Sequence, residues 1–245
     1  MAERGAALVT GGARRIGRAL VVCAADAGYD VAIHVRAVDD EAEAAAAEVR
    51  ARGRRAAILA CDLRKEATTV ALVGEAEAEL GLVTLLVNSA SVFEEDAFTD
   101  MNRASWDAHM ETNLRSPLML AQVFARRLPA GREGLIVNLL DQRVLKPTPE
   151  FFSYSLSKAA LWDATKMLAQ ALAPRIRVNG IGPGPTLPSV HQTAAEFEAE
   201  VRSTLMGRPV SPAEIAAALR YLIDAPSVTG QLIAVDAGQH LAWKP

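Results

Sequence analysis

The stretch AALVTGGARRIGRALVVCAADAG, residues 6–28, places a strand pattern, a glycine-rich turn and a helical pattern in immediate succession. AALVT is a short apolar run of the kind that forms a strand buried on both faces. The turn TGGARRIG, residues 10–17, leads directly into a helical pattern over 14–28. Backbone amides and the helix dipole at such a junction can meet a pyrophosphate. Glycines that serve only the turn dihedrals are the alternative.

The same alternation continues along the chain. Further strand patterns lie at 30–36, 56–62, 83–90, 134–141, 175–182 and 231–238, and helical patterns at 40–53, 65–81, 103–128, 153–172 and 211–225. Continuous apolar strands that alternate with helices are typical of a parallel sheet covered on both faces. We therefore predict one α/β domain over 1–245, a Rossmann-like, doubly wound parallel sheet of about seven strands. Its cofactor half is about 1–140 and its substrate and catalytic half about 141–245.

Composition narrows the classes of function. Of the 245 residues, 51% are hydrophobic and 22% charged, which is typical of a globular domain. A net charge of −3 without a basic block predicts no nucleic-acid or membrane partner. A first strand at residue 6 leaves no room for a signal peptide, and two cysteines predict no disulfide framework, so we expect a cytoplasmic protein. The four histidines are scattered, which predicts no metal site.

Basic residues near the turn bear on the choice of dinucleotide. An NAD site tends to place an acid near the end of the second strand, where it binds ribose hydroxyls. Here that end reads IHVRAV, with Arg36 and no acid before Asp39. Arg14 and Arg15 add two guanidinium groups beside the turn, and a guanidinium suits a 2′-phosphate. Although each arginine alone is equally well a solvated surface residue, together they predict NADP(H).

Tyr154 and Lys158 stand four residues apart in the helical pattern 153–172. Residues at that spacing share a helix face, so the ammonium group can lie near the phenol. A nearby positive charge favours the phenolate and lowers the tyrosine pKa from its usual value of about 10. The pair predicts a tyrosine prepared for proton transfer. A surface tyrosine and lysine that meet no ligand are the alternative.

An acid, Asp141, closes the apolar run LIVNLL and stands thirteen residues before Tyr154. An acid coupled to the tyrosine could supply or relay a proton, and its carboxylate would oppose ionisation of the phenol. The two groups should then titrate together. The alternative is a surface turn residue or helix cap, solvated beside Gln142 and Arg143.

Five segments, in chain order, resemble the short-chain dehydrogenase/reductase family. They are TGGARRIG, NSAS at 88–91, Asn113 in a helix, YSLSK at 154–158 and IGPGPT at 181–186, and together they cover essentially the whole chain. The resemblance implies that Tyr154 donates the proton and that Lys158 lowers its pKa and holds the nicotinamide ribose. It also implies that Asn113 helps to organise a water relay and that the protein is a homotetramer.

Asp141 stands where this family usually has serine, and in this it resembles the pteridine reductases of the family. Arg15 in place of the middle glycine, NSASVF after the fourth strand and GPG after the sixth extend the resemblance. It implies that Phe93 stacks on a pterin ring and that Ser91 contacts pterin and cofactor phosphate. For Phe93, an ordinary aromatic at a loop edge is the alternative.

The predicted site residues fall into three groups. The catalytic residues are Asp141, Tyr154, Lys158 and Asn113. The cofactor-binding residues are Gly11, Arg14, Arg15, Ile16, Gly17, His34, Arg36, Asp62 (or a helix cap), Leu63, Asn88, Ser89, Ala90, Ser91, Tyr154, Lys158, Pro183 and Gly184. The substrate-binding residues are Ser91, Phe93, Asp141, Tyr154, Pro185, Thr186 and Leu187, with the loop 183–193 closing the site.

These observations predict NADPH-dependent reduction of a ring C=N bond in a dihydropterin such as dihydromonapterin or dihydrobiopterin. Weak dihydrofolate reduction is compatible with this prediction. The alternative within the family is a reductase of ketones or 3-oxoacyl thioesters. A sensor that binds NADP without catalysis is a third hypothesis, which the presence of Tyr154, Lys158 and Asn113 disfavours.

Overall fold

The computed structural model describes residues 4–189 and 192–243. Its core is one seven-stranded parallel sheet in the order β3-β2-β1-β4-β5-β6-β7. The strands are β1 (Ala6–Thr10), β2 (Asp30–Val35), β3 (Ala56–Ala60), β4 (Val83–Asn88), β5 (Gly134–Leu139), β6 (Ile176–Pro183) and β7 (Leu232–Val235). The predicted fold class is confirmed.

Helices cover both faces of the sheet. They are α1 (Arg15–Asp26), α2 (Asp40–Ala51), α3 (Glu66–Leu80), α4 (Arg103–His109), α5 (Ser116–Arg127), α6 (Phe152–Leu172), α7 (Ala194–Ser203) and α8 (Pro212–Asp224). Along a strand, alternate residues face opposite sides. Thus Val9 packs in the core beneath α1, α2 and α8, while Leu8 packs in the core beneath α3, α5 and α6.

Two helical predictions were incomplete. The pattern 103–128 is not one helix, because a π-helical turn, Met110–Arg115, separates α4 from α5. The stretch predicted as a loop over 182–193 is followed by α7, which we did not predict. Its start is a capping box in which Thr193 and Glu196 bond each other's backbone. Val190 and His191, in the predicted site-closing loop, lie outside the described residues.

The sheet order reverses between β1 and β4, and this reversal locates the site. In an open parallel sheet, ligands bind outside the carboxyl ends of the strands at such a point. The turn after β1, Ser89 after β4, Asp141 after β5 and Gly184 after β6 all lie at this edge. Within the described ranges, every helix is too short or too polar to cross a bilayer. No group of three or more His, Cys, Asp or Glu side chains among those residues is arranged to hold a metal ion.

Candidate active site

The turn after β1 brings the backbone into close contact with the start of α1. A Cβ at Gly17 would lie 2.0 Å from the carbonyl oxygen of Gly11, so only glycine fits there. Arg15 has a φ of 51°, in the left-handed region that favours glycine. This explains why a glycine is usual at that position. The Arg15 guanidinium reaches away from the turn and donates to the carbonyl oxygens of Leu187 and Pro188, each at 3.0 Å.

A first cavity lies along the ends of β1, β2 and β4. It is lined by predicted cofactor-binding residues, namely Gly11, residues 14–17, His34, Arg36, Asp62, Leu63 and residues 89–91. Cys61, Arg64, Val92 and Thr112 also line it and were not predicted. Asn88 is buried below instead, where its amide donates to Asn138 Oδ1 at 2.8 Å.

His34 ties the turn to two strands. Its Nδ1 accepts from the Gly11 N–H at 3.3 Å, and its Nε2 lies 3.1 Å from the carbonyl oxygen of Cys61, to which it donates. Both ring nitrogens are thus used in the neutral form, and burial lowers the His34 pKa. His34 therefore supports the cofactor cavity through the backbone of the turn.

The three arginines predicted to meet at the adenosine end are placed differently. Arg14 is paired with Asp39 and Glu41, and Arg15 is bonded to the loop after β6. All three arginines line this cavity. Of the three, only Arg36 is neither paired with an acid nor bonded to the loop after β6. A fourth, Arg64, bonds Asp62 at 2.7 Å and lowers the pKa of that carboxyl to about 2.

A second cavity, of about 300 Å³, adjoins the first and holds three of the four predicted catalytic residues, Asp141, Tyr154 and Lys158. The Tyr154 hydroxyl donates to Asp141 Oδ2 at 2.8 Å, and the Arg143 N–H donates to Asp141 Oδ1 at 2.8 Å. Asp141 is therefore both a cap of the short turn that follows and the partner of the tyrosine, so the two readings of this residue coexist. The Lys158 ammonium donates to the carbonyl oxygen of Leu139 at 2.8 Å.

The pKa values of Tyr154 and Asp141 differ from those expected if Lys158 were the dominant neighbour of the tyrosine. Burial and the neighbouring Asp141 carboxylate raise the Tyr154 pKa well above 10. Burial also raises the pKa of Asp141, although Arg143, the tyrosine hydrogen bond and Lys158 oppose the shift. The predicted lowering of the tyrosine pKa by Lys158 is absent from this arrangement. The predicted opposition of the carboxylate to phenol ionisation dominates.

Asn113 lies on the π-helical turn and is completely buried. Its Oδ1 accepts from the Val92 N–H at 2.8 Å and from Ser91 Oγ at 3.2 Å. Its Nδ2 donates to the Val92 carbonyl at 2.9 Å and to Ser157 Oγ at 3.1 Å. The side chain thus joins the loop after β4 to α6 and does not face either cavity. The part of Asn113 in a water relay stays a prediction.

All the predicted substrate-binding residues line the second cavity, as do Lys158, Pro183 and Gly184. Phe93 stands in its wall and stacks face to face on Phe151, with ring centroids 4.2 Å apart. Gln192 also lines this cavity and belongs to the loop 183–193 that was predicted to close the site. Sequence reasoning missed other lining residues, namely Gln142, Arg143, Phe151, Phe197, Glu200 and Gln239. Gln142 and Arg143 directly follow Asp141 and reach the site with it. The residues on α7 and after β7 reach the site only through the tertiary fold.

The first cavity fits a dinucleotide. Its turn has the close backbone approach that Gly11 and Gly17 allow, since a Cβ at Gly11 would lie 2.9 Å from Ala90 Cα. The Arg14 side chain does not cap α1, which leaves the first helical N–H groups to an anion. Exposed Arg36 supplies a cation at the far end.

Comparison with known proteins assigns the chain to a family. A family model described as short chain dehydrogenase matches residues 5–199. FolM alternative dihydrofolate reductase 1 from Brucella canis, solved with NADP, is 46% identical with a TM-score of 0.95, covering 100% of this chain and 97% of that one. Its counterpart from Brucella suis, also with NADP, is 47% identical with the same TM-score, covering 100% and 98%.

More distant relatives catalyse a different reduction. A 3-oxoacyl acyl-carrier-protein reductase, FabG, from Aggregatibacter actinomycetemcomitans is 34% identical, covering 94% of this chain and 97% of its own. The chain belongs to the short-chain dehydrogenase/reductase family of oxidoreductases.

Proposed function

We propose that this protein uses NADPH to reduce a ring C=N bond of a dihydropterin, giving the tetrahydropterin. The observation that carries the proposal is the 2.8 Å hydrogen bond between the Tyr154 hydroxyl and Asp141. A carbonyl reductase of this family would present a serine hydroxyl there. The similarity to the two Brucella dihydrofolate reductases supports both the cofactor and a pterin-like substrate.

Bound NADPH would supply a hydride to a ring carbon, and the adjacent ring nitrogen needs one proton. Asp141 is suited to give that proton because its raised pKa lets it hold a proton closer to neutral pH. Tyr154, whose pKa is raised well above 10, stays protonated and orients the carboxyl group. After transfer, solvent reprotonates Asp141, so each turnover consumes one proton.

The cofactor would lie across both cavities. Arg36 would meet the 2′-phosphate, and the turn with the start of α1 would meet the pyrophosphate. Lys158 would hold the nicotinamide ribose near Tyr154, where Pro183 and Gly184 complete the wall. Phe93 would stack on the substrate ring.

The outer end of the substrate cavity favours a neutral side chain on the pterin. Glu200 accepts from the amides of Gln192, at 2.8 Å, and Gln239, at 3.0 Å. Amide and carboxylate groups suit hydroxyl donors, whereas the carboxylates of a folate tail would meet Glu200 as a like charge. This supports a dihydropterin with a short hydroxylated side chain as a better substrate than dihydrofolate.

The test is NADPH oxidation with a panel of dihydropterins and a panel of ketones and 3-oxoacyl thioesters. Asp141→Ser and Asp141→Asn should each lower kcat/KM for dihydropterins by about 100-fold or more, because a positioned general acid contributes a factor of about 10² to 10⁴. Asp141→Asn keeps an acceptor for the Arg143 N–H, so it controls for loss of the turn. Turnover of dihydropterins undiminished in Asp141→Ser would refute the proposal.

The second candidate is a reductase of ketones or 3-oxoacyl thioesters, which the 34% identity to FabG supports. It predicts turnover of the ketone panel by the wild-type protein and indifference to dihydropterins.

Quaternary structure is a separate proposal. We propose a homotetramer, supported by exposed apolar residues such as Met167 on α6, which is 67% exposed. Light scattering of the purified protein tests it, and a monomer would contradict it.

A further inference from the structure

Phe93 and Phe151 form an aromatic double layer in the wall of the substrate cavity. Their ring centroids are 4.2 Å apart and their planes are within 10° of parallel. No third ring fits between two rings at that separation, so one face of Phe93 is closed. A flat substrate that stacks on Phe93 must therefore use its opposite face. Both rings line the cavity that contains Asp141 and Tyr154.

The backbone of Phe151 is held in an unfavourable conformation. Its φ of 51° and ψ of 55° lie in the left-handed region, where a bulky residue is an outlier. Phe151 stands immediately before α6, and its side chain does not cap that helix. Capping thus does not account for a phenylalanine here, and glycine would satisfy the backbone better. Strain of this kind persists where surrounding contacts determine the conformation, often at a ligand site.

The neighbours of Phe151 fix its ring against Phe93. The guanidinium carbon of Arg143 lies 5.0 Å from the Phe151 ring centroid and 5.7 Å from that of Phe93. The Tyr154 ring meets Phe93 at 81°, with centroids 4.7 Å apart. Buried Asp96 holds the start of α6, accepting from the Phe152 N–H at its backbone oxygen and from the Ser153 N–H at Oδ1. Phe93 is therefore stacked on the strained residue and meets the tyrosine in an edge contact.

We propose that Phe151 is a positioning residue for substrate binding. It supports Phe93 from behind, so that the stacking face of Phe93 is fixed relative to Tyr154 and Asp141 before substrate arrives. Such preorganisation improves affinity because fewer rotamers are lost on binding. The inference rests on the proposed function for the identity of the flat ligand, a pterin bicycle.

The test compares Phe151→Gly and Phe151→Tyr with the wild-type protein. The probe is 2,4-diaminopteridine, a flat bicycle without a side chain, titrated calorimetrically into protein saturated with NADP+. Phe151→Gly should bind it roughly threefold to tenfold more weakly, in line with the free energy of an aromatic pair. Its Tm should be equal or higher, since glycine accepts the left-handed backbone. Phe151→Tyr keeps the ring and should bind as the wild type does.

With dihydropterin as substrate, KM should rise in Phe151→Gly while kcat changes little. The control is Phe98→Leu, which removes an edge-on pair with Phe152, at 5.6 Å, from a residue that is 71% exposed. It should leave probe binding unchanged. Unchanged or tighter binding by Phe151→Gly would overturn the inference, the latter showing that Phe151 occupies the substrate's place. If no dihydropterin turns over but probe binding weakens as stated, the proposed function fails while the positioning role stands.

Discussion

The protonation state of the Lys158 side chain depends on its surroundings. The side chain is only 3% exposed, and its ammonium group donates to the Leu139 carbonyl oxygen. Burial lowers the Lys158 pKa to about 8, against the opposing effect of Asp141. The ammonium form is therefore present at neutral pH and is lost within the range in which the enzyme can be assayed.

We expect kcat/KM for a dihydropterin to fall as the pH rises through about 8. Neutral Lys158 lacks the positive charge that stabilises the complex with substrate. With NADPH also held well below saturation, the kcat/KM profile reports the free enzyme, in which this pKa applies. In Lys158→Arg the charge persists, so the fall near that pH should disappear even though the overall rate is lower. An identical fall in the arginine variant would assign it to another group.

Single residues could be predicted from the sequence where their spacing fits one helix face, as for Tyr154 and Lys158, or a family pattern, as for Asp141. The separations of Asp141, Tyr154 and Lys158 correctly brought these side chains to one cavity. Their electrostatics could not be predicted in the same way, because the Tyr154 pKa is set by burial and by a carboxylate on another element. Phe151 was missed because a left-handed backbone gives no signal in an apolar pattern.

The π-helical turn between α4 and α5 positions the loop that separates the two cavities. One wider turn carries Asn113 inward, where its amide bonds both the N–H and the carbonyl of Val92. π-bulges of this kind often mark functional sites. The apolar periodicity of 103–128 could not predict it, since both halves of the segment remain helical. The α7 helix, by contrast, did have a signal in the Thr193–Glu196 capping box.

Asn113→Ala should destabilise the protein by about 1–3 kcal/mol, because it removes the completely buried amide that bonds both part-buried backbone groups of Val92. Asn113→Asp keeps the acceptor but places a carboxylate oxygen against the Val92 carbonyl in a completely buried site, so we expect a loss at least as large. Urea unfolding followed by circular dichroism measures both. Glu111→Ala, on the same turn, removes only a surface ion pair with Arg115 at 3.6 Å and should change stability little. Equal stability of Asn113→Ala and wild type would show that Asn113 does not hold the loop.

At the scale of the whole molecule, the fold was predictable because apolar runs and crossover helices alternate without interruption, which leaves few topologies. The buried polar side chains that join neighbouring elements could not be predicted in this way. His34 joins the phosphate turn to β3, and His109, which is fully buried, joins α4 to the loop after β4 through Ser105 and Glu94. In each case burial lowers the histidine pKa, so the folded protein requires the neutral ring.

This requirement makes stability depend on pH. When the folded pKa of a base lies below its unfolded value, the unfolded chain binds more protons once the pH falls below that value, about 6.5 for histidine. The free energy of unfolding should therefore decrease from pH 7.5 to 5.5, by up to about 1.4 kcal/mol per pH unit for each histidine. Asp141, with its raised pKa, acts in the opposite direction, whereas carboxyls with lowered pKa values lose their contribution only in stronger acid.

Urea midpoints of wild type, His34→Gln and His109→Gln at pH 7.5, 6.5 and 5.5 measure the effect. Each variant should show a shallower pH dependence than the wild type, because it lacks one of the two rings that must stay neutral. A pH dependence as steep in both variants as in the wild type would mean that neither ring is held neutral by the fold.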